Sequence, residues 1–326
     1  MTVLITGAAG FIGYHAALRL LSQGERVVGI DNMNPYYSPT LKEDRLRGLL
    51  DHQNFTFHQI DIADRIAMDE AMAGLKLTSI IHLAAQAGVR HSLKNPFAYV
   101  EANLVGHMVI LEIARHQDNL EHLIYASSSS VYGGNSKIPF SEDDPVDHPV
   151  SLYAATKKSD ELISRSYSHL YGIPQTGLRF FTVYGPWGRP DMALWLFTEA
   201  ILAGRPIRVF NHGDMRRDFT YVDDIVNGVL AAREKPPKND AASGPPHRIY
   251  NIGNNHPEQL LRFIEVIENS LGKKAERILE PMQPGDVKET YADLTAIRQD
   301  LGFQPTTTID DGIPRFTSWY RDYHNI

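Results

Sequence analysis

Short apolar segments alternate with longer amphipathic segments through the first half of the chain. We predict strands at residues 3–6, 26–30, 55–59, 79–82, 122–126 and 175–180. We predict helices between them at residues 11–23, 41–50, 65–73, 96–116 and 152–171. Apolar strands that alternate with helices are typical of βα units. The pattern therefore predicts an α/β fold with a doubly wound parallel sheet that helices cover on both faces.

The alternation becomes irregular after Thr182. Helices are predicted at 224–234 and 257–271, and a strand at 248–252. We therefore predict two domains. Residues 1–181, with later returns near 217–253, form the sheet domain, and residues 182–326 form a smaller C-terminal α/β domain that mainly binds substrate. The low-complexity stretch 235–246 is predicted to be an exposed loop without function.

The composition is that of an ordinary globular protein. The 326 residues are 43% hydrophobic and 22% charged, and the net charge is −7. An acidic chain of this kind is a poor general binder of nucleic acid, so we expect no nucleic-acid partner. There is no cysteine, which excludes disulfides, thiolate zinc sites and a cysteine nucleophile. The 14 histidines show no metal-binding spacing, and no metal is expected.

The chain starts with a short apolar run that lacks the basic start and the length of a secretory signal. It contains no stretch of about 18 consecutive apolar residues, so we expect no membrane span. These two observations predict a cytoplasmic protein.

A glycine-rich turn follows the first predicted strand and opens the first predicted helix. Its glycines are Gly7, Gly10 and Gly13, in the pattern G-x-x-G-x-x-G, with Phe11 and Ile12 between the last two. Glycines let the backbone approach a pyrophosphate, and a helix N-terminus offers free N–H groups and a positive dipole end. This placement predicts a Rossmann-like dinucleotide site, although a plain tight turn would have the same glycines.

Acidic residues end the second and third predicted strands. Asp31 can accept hydrogen bonds from both hydroxyls of an adenosine ribose, and a 2′-phosphate there would meet a like charge. Asn32 stands where NADP-binding proteins often place an arginine, so we predict NAD as the cofactor. Asp61 either holds the adenine amino group or caps the helix that starts near Arg65, and Ile62 follows it.

Two further groups of residues can do chemistry. Tyr153 and Lys157 are four positions apart on a predicted helix and therefore share a face. An ammonium beside a phenol favours the phenolate and can also hold a cofactor hydroxyl. A serine run, 127–130, comes directly after the fifth predicted strand, at the sheet edge where doubly wound folds bind ligands. Its hydroxyls can orient a reacting alcohol, although a polar loop has the same composition.

Together these residues resemble the extended short-chain dehydrogenase/reductase family, whose NAD-dependent epimerases and dehydratases they match over essentially the whole chain. The resemblance implies that Tyr153 is the catalytic base, Lys157 its partner, and Ser128 the hydroxyl that bridges base and substrate. It implies a cofactor site made of Gly7, Gly10, Phe11, Ile12, Gly13, Asp31, Asn32, Asp61, Ile62, Leu83, Ala84, Ala85, Gln86, Asn103, Ser127, Tyr153, Lys157, Phe180 and Val183.

Within that family the second half resembles the UDP-glucuronate 4-epimerases. The resemblance lies in residues 179–193, 213–220 and 282–286. It implies that Thr182 and Arg189 face the sugar carboxylate with Arg90 nearby, that Arg217 binds the diphosphate, and that Phe210 lies near the uracil. The full implied substrate site is Arg90, Ser128, Ser129, Thr182, Arg189, Phe210, Arg217 and Asp286. Independently, four arginines within residues 205–217 suit a small polyanion, although they could also be solvated surface charge.

Sugar-nucleotide dehydratases and decarboxylases usually carry an acid in the position of Ser129 or Ser130, where this chain has only serines. The resemblance therefore implies simple C4 epimerisation of UDP-glucuronate to UDP-galacturonate, through a 4-keto intermediate and with NAD regenerated in each cycle. Three alternatives stay open: a UDP-glucose/galactose epimerase, a UDP-glucuronate decarboxylase, and a non-catalytic NAD-binding sensor or scaffold. The family is commonly dimeric, which implies a homodimer. The apolar segment 96–116 either contacts the second subunit, beside the helix of Tyr153, or is a fully buried helix of one large domain.

Overall fold

The structure of the protein is a computed structural model, which describes residues 1–239, 244–283 and 286–326. The strands of the described residues are β1 Thr2–Thr6, β2 Arg26–Asp31, β3 Phe55–Gln59, β4 Ser79–His82, β5 His122–Ser128, β6 Gln175–Phe180, β7 Thr182–Tyr184, β8 Ile207–Val209, β9 Arg216–Tyr221, β10 His247–Ile252, β11 Pro257–Gln259 and β12 Arg277–Leu279. The helices are α1 Phe11–Ser22, α2 Pro39–Leu50, α3 Arg65–Met72, α4 Val89–Ser92, α5 Pro96–Tyr99, α6 Gly106–Arg115, α7 Leu152–Tyr171, α8 Ala193–Leu202, α9 Val222–Glu234, α10 Leu260–Leu271, α11 Thr295–Leu301 and α12 Ile309–His324.

Seven parallel strands form the main sheet in the order β10-β6-β5-β4-β1-β2-β3. The chain runs outward from β1 to β3, returns to β4 and continues to the other edge, which is the doubly wound arrangement. The prediction of such a sheet is confirmed. The strands predicted at 55–59, 79–82 and 175–180 have the observed bounds.

The central strands of the sheet are buried on both faces because they are mostly apolar, whereas the edge strand β3 is partly polar and partly exposed. Ile5 of β1 and Leu20 of α1 belong to the core on one face, and both are fully buried. Leu4 of β1, Met68 of α3 and Ile110 of α6 belong to the core on the other face. Burial on both faces is what continuous apolar strands require, in contrast to the strict alternation of half-exposed sheets.

Two helix predictions were wrong in their bounds. The segment predicted as one helix at 96–116 is interrupted by a π-helical turn, Val100–Val105, between α5 and α6. The turn directs Asn103 into the protein interior, where it makes three hydrogen bonds. The helix predicted from residue 257 starts at Leu260, because Pro257–Gln259 pairs with β9 as an antiparallel strand.

The second half holds two small sheets, in the orders β11-β9-β7 and β12-β8. Several of its elements, including α8, β8, β9, β12 and α12, were not predicted. Short strands and the uniformly apolar α8 carry little periodic signal. Helix α12 contains Pro314, a residue that argues against a helix interior. Strand β10 joins the edge of the main sheet beside β6, and α9 packs against α1. Of the predicted loop 235–246, residues 240–243 lie outside the described residues.

Among the described residues, Pro96–Arg115 is the one segment long and apolar enough to cross a membrane. Half of this segment is buried inside the fold. It packs against α3, α7 and the main sheet, as a core helix of a globular protein does.

Candidate active site

A cavity of about 350 Å³ opens at the carboxyl ends of β1, β2, β4, β5 and β6. This is the edge at which doubly wound sheets bind ligands. The cavity brings together residues predicted from separate motifs along the chain. Those predicted cofactor residues that line it are Gly7, Gly10, Phe11, Ile12, Gly13, Asp31, Asn32, Asp61, Ile62, Leu83, Ala84, Ala85, Gln86, Ser127, Tyr153, Lys157, Phe180 and Val183. Ser128 and Arg189 line it as well.

The glycine turn is packed so closely that side chains would not fit. A Cβ at Gly13 would overlap the carbonyl oxygen of Gly7, and a Cβ at Gly10 would lie 2.9 Å from the same oxygen. Gly7 has a positive φ of 73° and lies against the backbone of Ala84. Gly10 is the N-cap of α1, where no side chain occupies the free N–H groups. The turn therefore leaves a bare backbone cradle at a helix N-terminus, which fits a pyrophosphate.

Asp31 is fixed at the end of β2 by the glycine turn and by the following loop. One carboxylate oxygen accepts from the backbone N–H of Ala9 at 3.2 Å, and the other from that of Met33 at 2.9 Å. The Lys42 ammonium lies 3.5 Å from the carboxylate and also lines the cavity. Sequence reasoning missed Lys42, because a lysine in an amphipathic helix carries no distinguishing signal.

Asp61 does not cap the following helix. Its carboxylate accepts from the Asn32 side chain at 2.8 Å and from the backbone N–H of Ala63 at 2.9 Å. The N-cap of α3 is Asp64, whose carboxylate accepts from the backbone N–H of Ala67. The helix-cap interpretation of Asp61 was therefore wrong, and Asn32 and Asp61 together form one wall of the cavity.

Helix α7 presents Tyr153 and Lys157 to the cavity. The helix starts where the Ser151 hydroxyl accepts from the backbone N–H of Ala154, which fixes the first turn. The Tyr153 ring packs edge-on against Tyr99, with 6.0 Å between ring centroids. Lys157 is almost fully buried, and its ammonium donates to Asp160 at 3.1 Å.

The serine run begins in β5 and ends in a 3₁₀ turn, Ser129–Tyr132. Ser128 lines the cavity, and its hydroxyl accepts from the backbone N–H of Ser130 at 3.1 Å. Ser127 donates to Glu161 of α7 at 2.7 Å. Ser129 is half-buried in the turn and is not among the cavity-lining residues.

Glu161 joins three elements behind the serine run. Its carboxylate takes two hydrogen bonds from the Arg179 guanidinium, at 2.8 and 2.9 Å, and both side chains are buried. Arg179 also donates to the Tyr132 hydroxyl at 2.9 Å. This buried ion pair ties α7 to β6 and holds Ser127 and Tyr153 in a fixed relation. No sequence signal predicts this pair, because an acid in a helix and an arginine in a strand are each ordinary.

Asn103 is the predicted cofactor residue that does not line the cavity. It is buried behind Gln86, and its side-chain oxygen accepts a hydrogen bond from the Gln86 backbone N–H at 2.8 Å. Its amide donates to the Gln86 carbonyl at 3.2 Å and to the Thr156 hydroxyl at 3.0 Å. Asn103 thus holds the segment after β4 against α7, and acts on the cavity through Gln86.

At the other side of the cavity Arg189 is already paired within the chain. Its guanidinium donates to both carboxylate oxygens of Asp191, at 3.0 and 2.6 Å. The hydroxyl of Tyr36, which follows β2, donates to Asp191 at 3.0 Å. Asp191 and Arg189 hold one another ionised, since the guanidinium lowers the pKa of the Asp191 carboxyl. Thr182 lies on β7, half-buried and outside the cavity-lining set.

The remaining predicted substrate residues form a second group, the arginine cluster, from four separate stretches of chain. Arg90 pairs with Asp286 at 2.8 Å, and its guanidinium lies 4.7 Å from the Phe210 ring centroid. Arg208 lies on the same ring at 5.2 Å. Arg217 donates to the backbone carbonyls of residues 287 and 288. Burial lowers the pKa of the Arg217 guanidinium, while the nearby Asp286 carboxylate opposes that shift.

Arg45 is a fully buried cation that sequence reasoning also missed. It donates to the Ala9 carbonyl of the glycine turn at 2.9 Å and to the Trp187 and Gly188 carbonyls at 2.6 and 3.2 Å. It thereby ties the glycine turn to the irregular stretch that carries Arg189. Among the residues that the structure describes, no group of three or more histidines and acids could hold a metal ion.

The chain is similar to known proteins in both sequence and structure. Residues 4–316 match the family model described as GDP-mannose 4,6 dehydratase. The chain is 51% identical to the CapI protein of Staphylococcus aureus, over 99% of both chains. It is 48% identical to a probable UDP-glucuronate 4-epimerase of Rhizobium meliloti, over 98% of this chain and 97% of that protein. A crystal structure of the UDP-glucuronic acid 4-epimerase of Bacillus cereus, in complex with UDP-glucuronic acid and NAD, is similar at 34% identity. Its TM-score is 0.90, with 99% of this chain and 100% of that chain covered.

Proposed function

The chain belongs to the GDP-mannose 4,6-dehydratase family of extended short-chain dehydrogenases/reductases, and from that membership we propose that it is a nucleotide-sugar 4-epimerase. The reaction is the NAD-dependent interconversion of UDP-glucuronate and UDP-galacturonate. One observation carries the proposal: Tyr153, Lys157 and Ser128 line the same cavity as the glycine cradle. The relatives that bind or convert UDP-glucuronate support the choice of substrate.

The cavity fits NAD on three counts. The bare cradle at the start of α1 suits the pyrophosphate, since any side chain at Gly13 would meet the Gly7 carbonyl. Asp31 is positioned to accept from the adenosine ribose, and its charge disfavours a 2′-phosphate. Asn32 and Asp61 form the wall beside it. When bound, NAD would accept the hydride from C4 of the sugar and return it to the opposite face.

The side chains of the cavity supply the proton transfer. Tyr153, as phenolate, takes the proton of the sugar 4-hydroxyl as C4 is oxidised, and gives it back when C4 is reduced. The Lys157 ammonium favours the phenolate, and Ser128 orients the 4-hydroxyl between base and ring. Proton and hydride both return to the sugar, so no net oxidation occurs and the product differs only in configuration at C4.

The two halves of the chain hold different ligands. Residues 1–181, with the returns near 217–253, hold NAD, and residues 182–326 mainly hold the UDP-sugar. Thr182 and Arg189 face the sugar carboxylate and keep it in the ring plane, which disfavours loss of CO₂ from the 4-keto acid. Ser129 completes the sugar site. In the arginine cluster, Arg217 takes the diphosphate, Phe210 the uracil, and Asp286 holds Arg90 in place.

The protein would act as a cytoplasmic homodimer. Phe97 on α5 and Leu162 and Leu170 on α7 are 79%, 57% and 62% exposed, on neighbouring helices that pack together. A second copy of the same face would remove these side chains from water. The two nucleotides carry phosphate charges that cannot cross a membrane unaided, so the enzyme must work where both are present.

The experiment is a product assay with the purified protein. UDP-glucuronate and, separately, UDP-galacturonate are incubated with it, and products are separated by anion exchange with mass detection. The proposal expects interconversion at unchanged mass from either side. A loss of CO₂ would identify a decarboxylase, and turnover of UDP-glucose alone would identify a neutral-sugar epimerase. NAD binding without any turnover would identify a sensor or scaffold.

A further inference from the structure

Lys157, the partner of the proposed catalytic base, has a partner of its own in the protein interior. Its ammonium lies 3.1 Å from the Asp160 carboxylate, one turn further along α7. The exposed fractions of the two side chains are 3% and 1%. A buried pair of this kind is costly to desolvate and is therefore weak evidence for a stabilising role. The proton transfer described above does not use Asp160.

The second carboxylate oxygen of Asp160 has no hydrogen-bond partner among the described residues, although it is buried. The carboxylate is thus not locked into a structural network, as the nearby Glu161 is. Lys157 is the one side chain of the described residues that donates to it. A buried, half-satisfied carboxylate persists only where its charge is useful or where its environment over-determines it.

The titratable groups around this pair come from four elements. Glu161 and Tyr153 share α7 with the pair, His82 comes from β4, His107 from α6, and Tyr125 from β5. Burial lowers the pKa of His107 to about 3 and that of His82 well below its ordinary value. Burial likewise raises the pKa of Tyr125 well above its ordinary value. These three rings are neutral near pH 7, so Lys157, Asp160 and Glu161 carry the local charge.

The negative charge of Glu161 is neutralised by its two hydrogen bonds from the Arg179 guanidinium. The charges of Lys157 and Asp160 therefore dominate the electrostatic field at Tyr153. The pKa of Asp160 is raised to about 6, chiefly by burial. Its carboxyl is therefore ionised above that pH and takes up a proton below it. Ionised, it cancels part of the lysine charge, and protonated, it leaves that charge uncompensated.

We propose that Asp160 is a positioning residue of the epimerase, which holds the Lys157 ammonium in place and sets how strongly that ammonium favours the Tyr153 phenolate. The inference rests on the proposed function of Tyr153 as base. Asp160 does not line the cavity, whereas Lys157 does, so Asp160 acts through Lys157. Removing its charge while keeping its shape strengthens the net positive field at the phenol, so the phenolate forms at lower pH.

The size of the effect follows from the helix. Asp160 is seven residues from Tyr153, which is about 10 Å along an α-helix. A unit charge at about 10 Å with an effective dielectric constant of about 20 shifts an ionisation by roughly one pH unit. The acid limb of the pH–activity profile should therefore move down by about one pH unit in D160N.

The test measures the phenolate directly and does not depend on turnover. Tyrosinate difference absorbance is followed against pH in the full-length protein. The trace of Y153F is subtracted from that of the unmodified protein, and the trace of the D160N/Y153F double variant from that of D160N, to isolate Tyr153. D160N is expected to shift the midpoint of the isolated titration down by about one pH unit. D118N is the matched control. It removes the same charge from an exposed position just before β5, at the opposite edge of the sheet, and should leave the midpoint unchanged.

If D160N does not fold, the same titration is carried out on D160S, because this substitution also removes the carboxylate charge. An unchanged midpoint in a folded variant, or a shift to higher pH, would overturn the proposal. A variant that only lowers thermal stability or NAD affinity equally at every pH would show a merely structural role and also overturn it. If the midpoint moves but no nucleotide sugar is converted, the proposed function fails and the link between Asp160, Lys157 and Tyr153 stands.

Discussion

The two ends of the proposed ligand site are built in opposite ways. Around the glycine turn the cavity wall is backbone in contact with backbone, and behind the serine run Glu161 and Arg179 form a buried ion pair. In the arginine cluster the wall is made of long side chains from separate stretches, and Arg90 and Arg208 are 50% and 62% exposed. The first end is pre-formed, whereas the second can rearrange around a ligand. Rigidity at the reacting end keeps base and C4 in register, while adaptability at the other end admits a flexible diphosphate.

The buried pair behind the serine run offers the strongest contrast. Arg179→Met leaves Glu161 as an uncompensated buried carboxylate, and we expect the unfolding free energy to fall by about 3–5 kcal/mol. Denaturant unfolding measures it. The control is Arg205→Met, which removes a similar side chain from an exposed pair with Glu199 and should change stability by less than about 1 kcal/mol. Equal losses from both variants would erase the distinction between the two ends.

The glycine turn should tolerate no side chain. Gly13→Ala places a methyl group on the Gly7 carbonyl oxygen, and neither backbone can retreat. We expect NAD affinity to fall about 100-fold, which is roughly 2.7 kcal/mol, measured by calorimetric titration. Gly134→Ala is the matched control, because its new methyl group would find its nearest neighbour at 3.8 Å. Normal NAD binding by Gly13→Ala would mean that the turn can adjust.

The arginine cluster should show a milder effect confined to substrate. Arg217→Met removes one diphosphate partner from a group of several cations, and we expect KM for the UDP-sugar to rise about tenfold, equal to about 1.4 kcal/mol. kcat and NAD affinity should stay within a factor of about two, because the reacting end is untouched. Steady-state kinetics and NAD titration check both. A loss of kcat as large as the rise in KM would place Arg217 in the reacting end instead.

The sequence predicts the two ends of the ligand site to different extents. The strand positions, the sheet class and the group of residues around the glycine turn followed from periodicity and motif spacing. The central strands β1, β2 and β4 are mostly apolar runs, and carboxyl ends of parallel strands meet at one edge. Residues that precede or follow these strands are therefore placed together by topology alone. The arginine cluster was expected from resemblance, because no local rule connects Arg90 to Asp286 across the chain.

Other features could not be predicted because their meaning lies in distant contacts. Asp160 is spaced to pair with Lys157 on one helix, but only the packing of other elements on that helix buries the pair. Arg45 and Lys42 look like surface residues of an amphipathic helix until the helix packs on the glycine turn. The π-helical turn that directs Asn103 inward has no periodic signal, since it differs from an α-helix by a single inserted residue.

The sequence by itself determined the fold class, the position of the dinucleotide cradle and the identity of the proposed base. The fold class and the cradle depend on local periodicity and on the conformational freedom of glycine, and the proposed base was identified by resemblance to the family. Only the tertiary structure decided which charges are paired, which are buried and which remain open to a ligand. Electrostatic strength depends on the surrounding medium and on the partner's distance, and neither exists until the chain has folded around them.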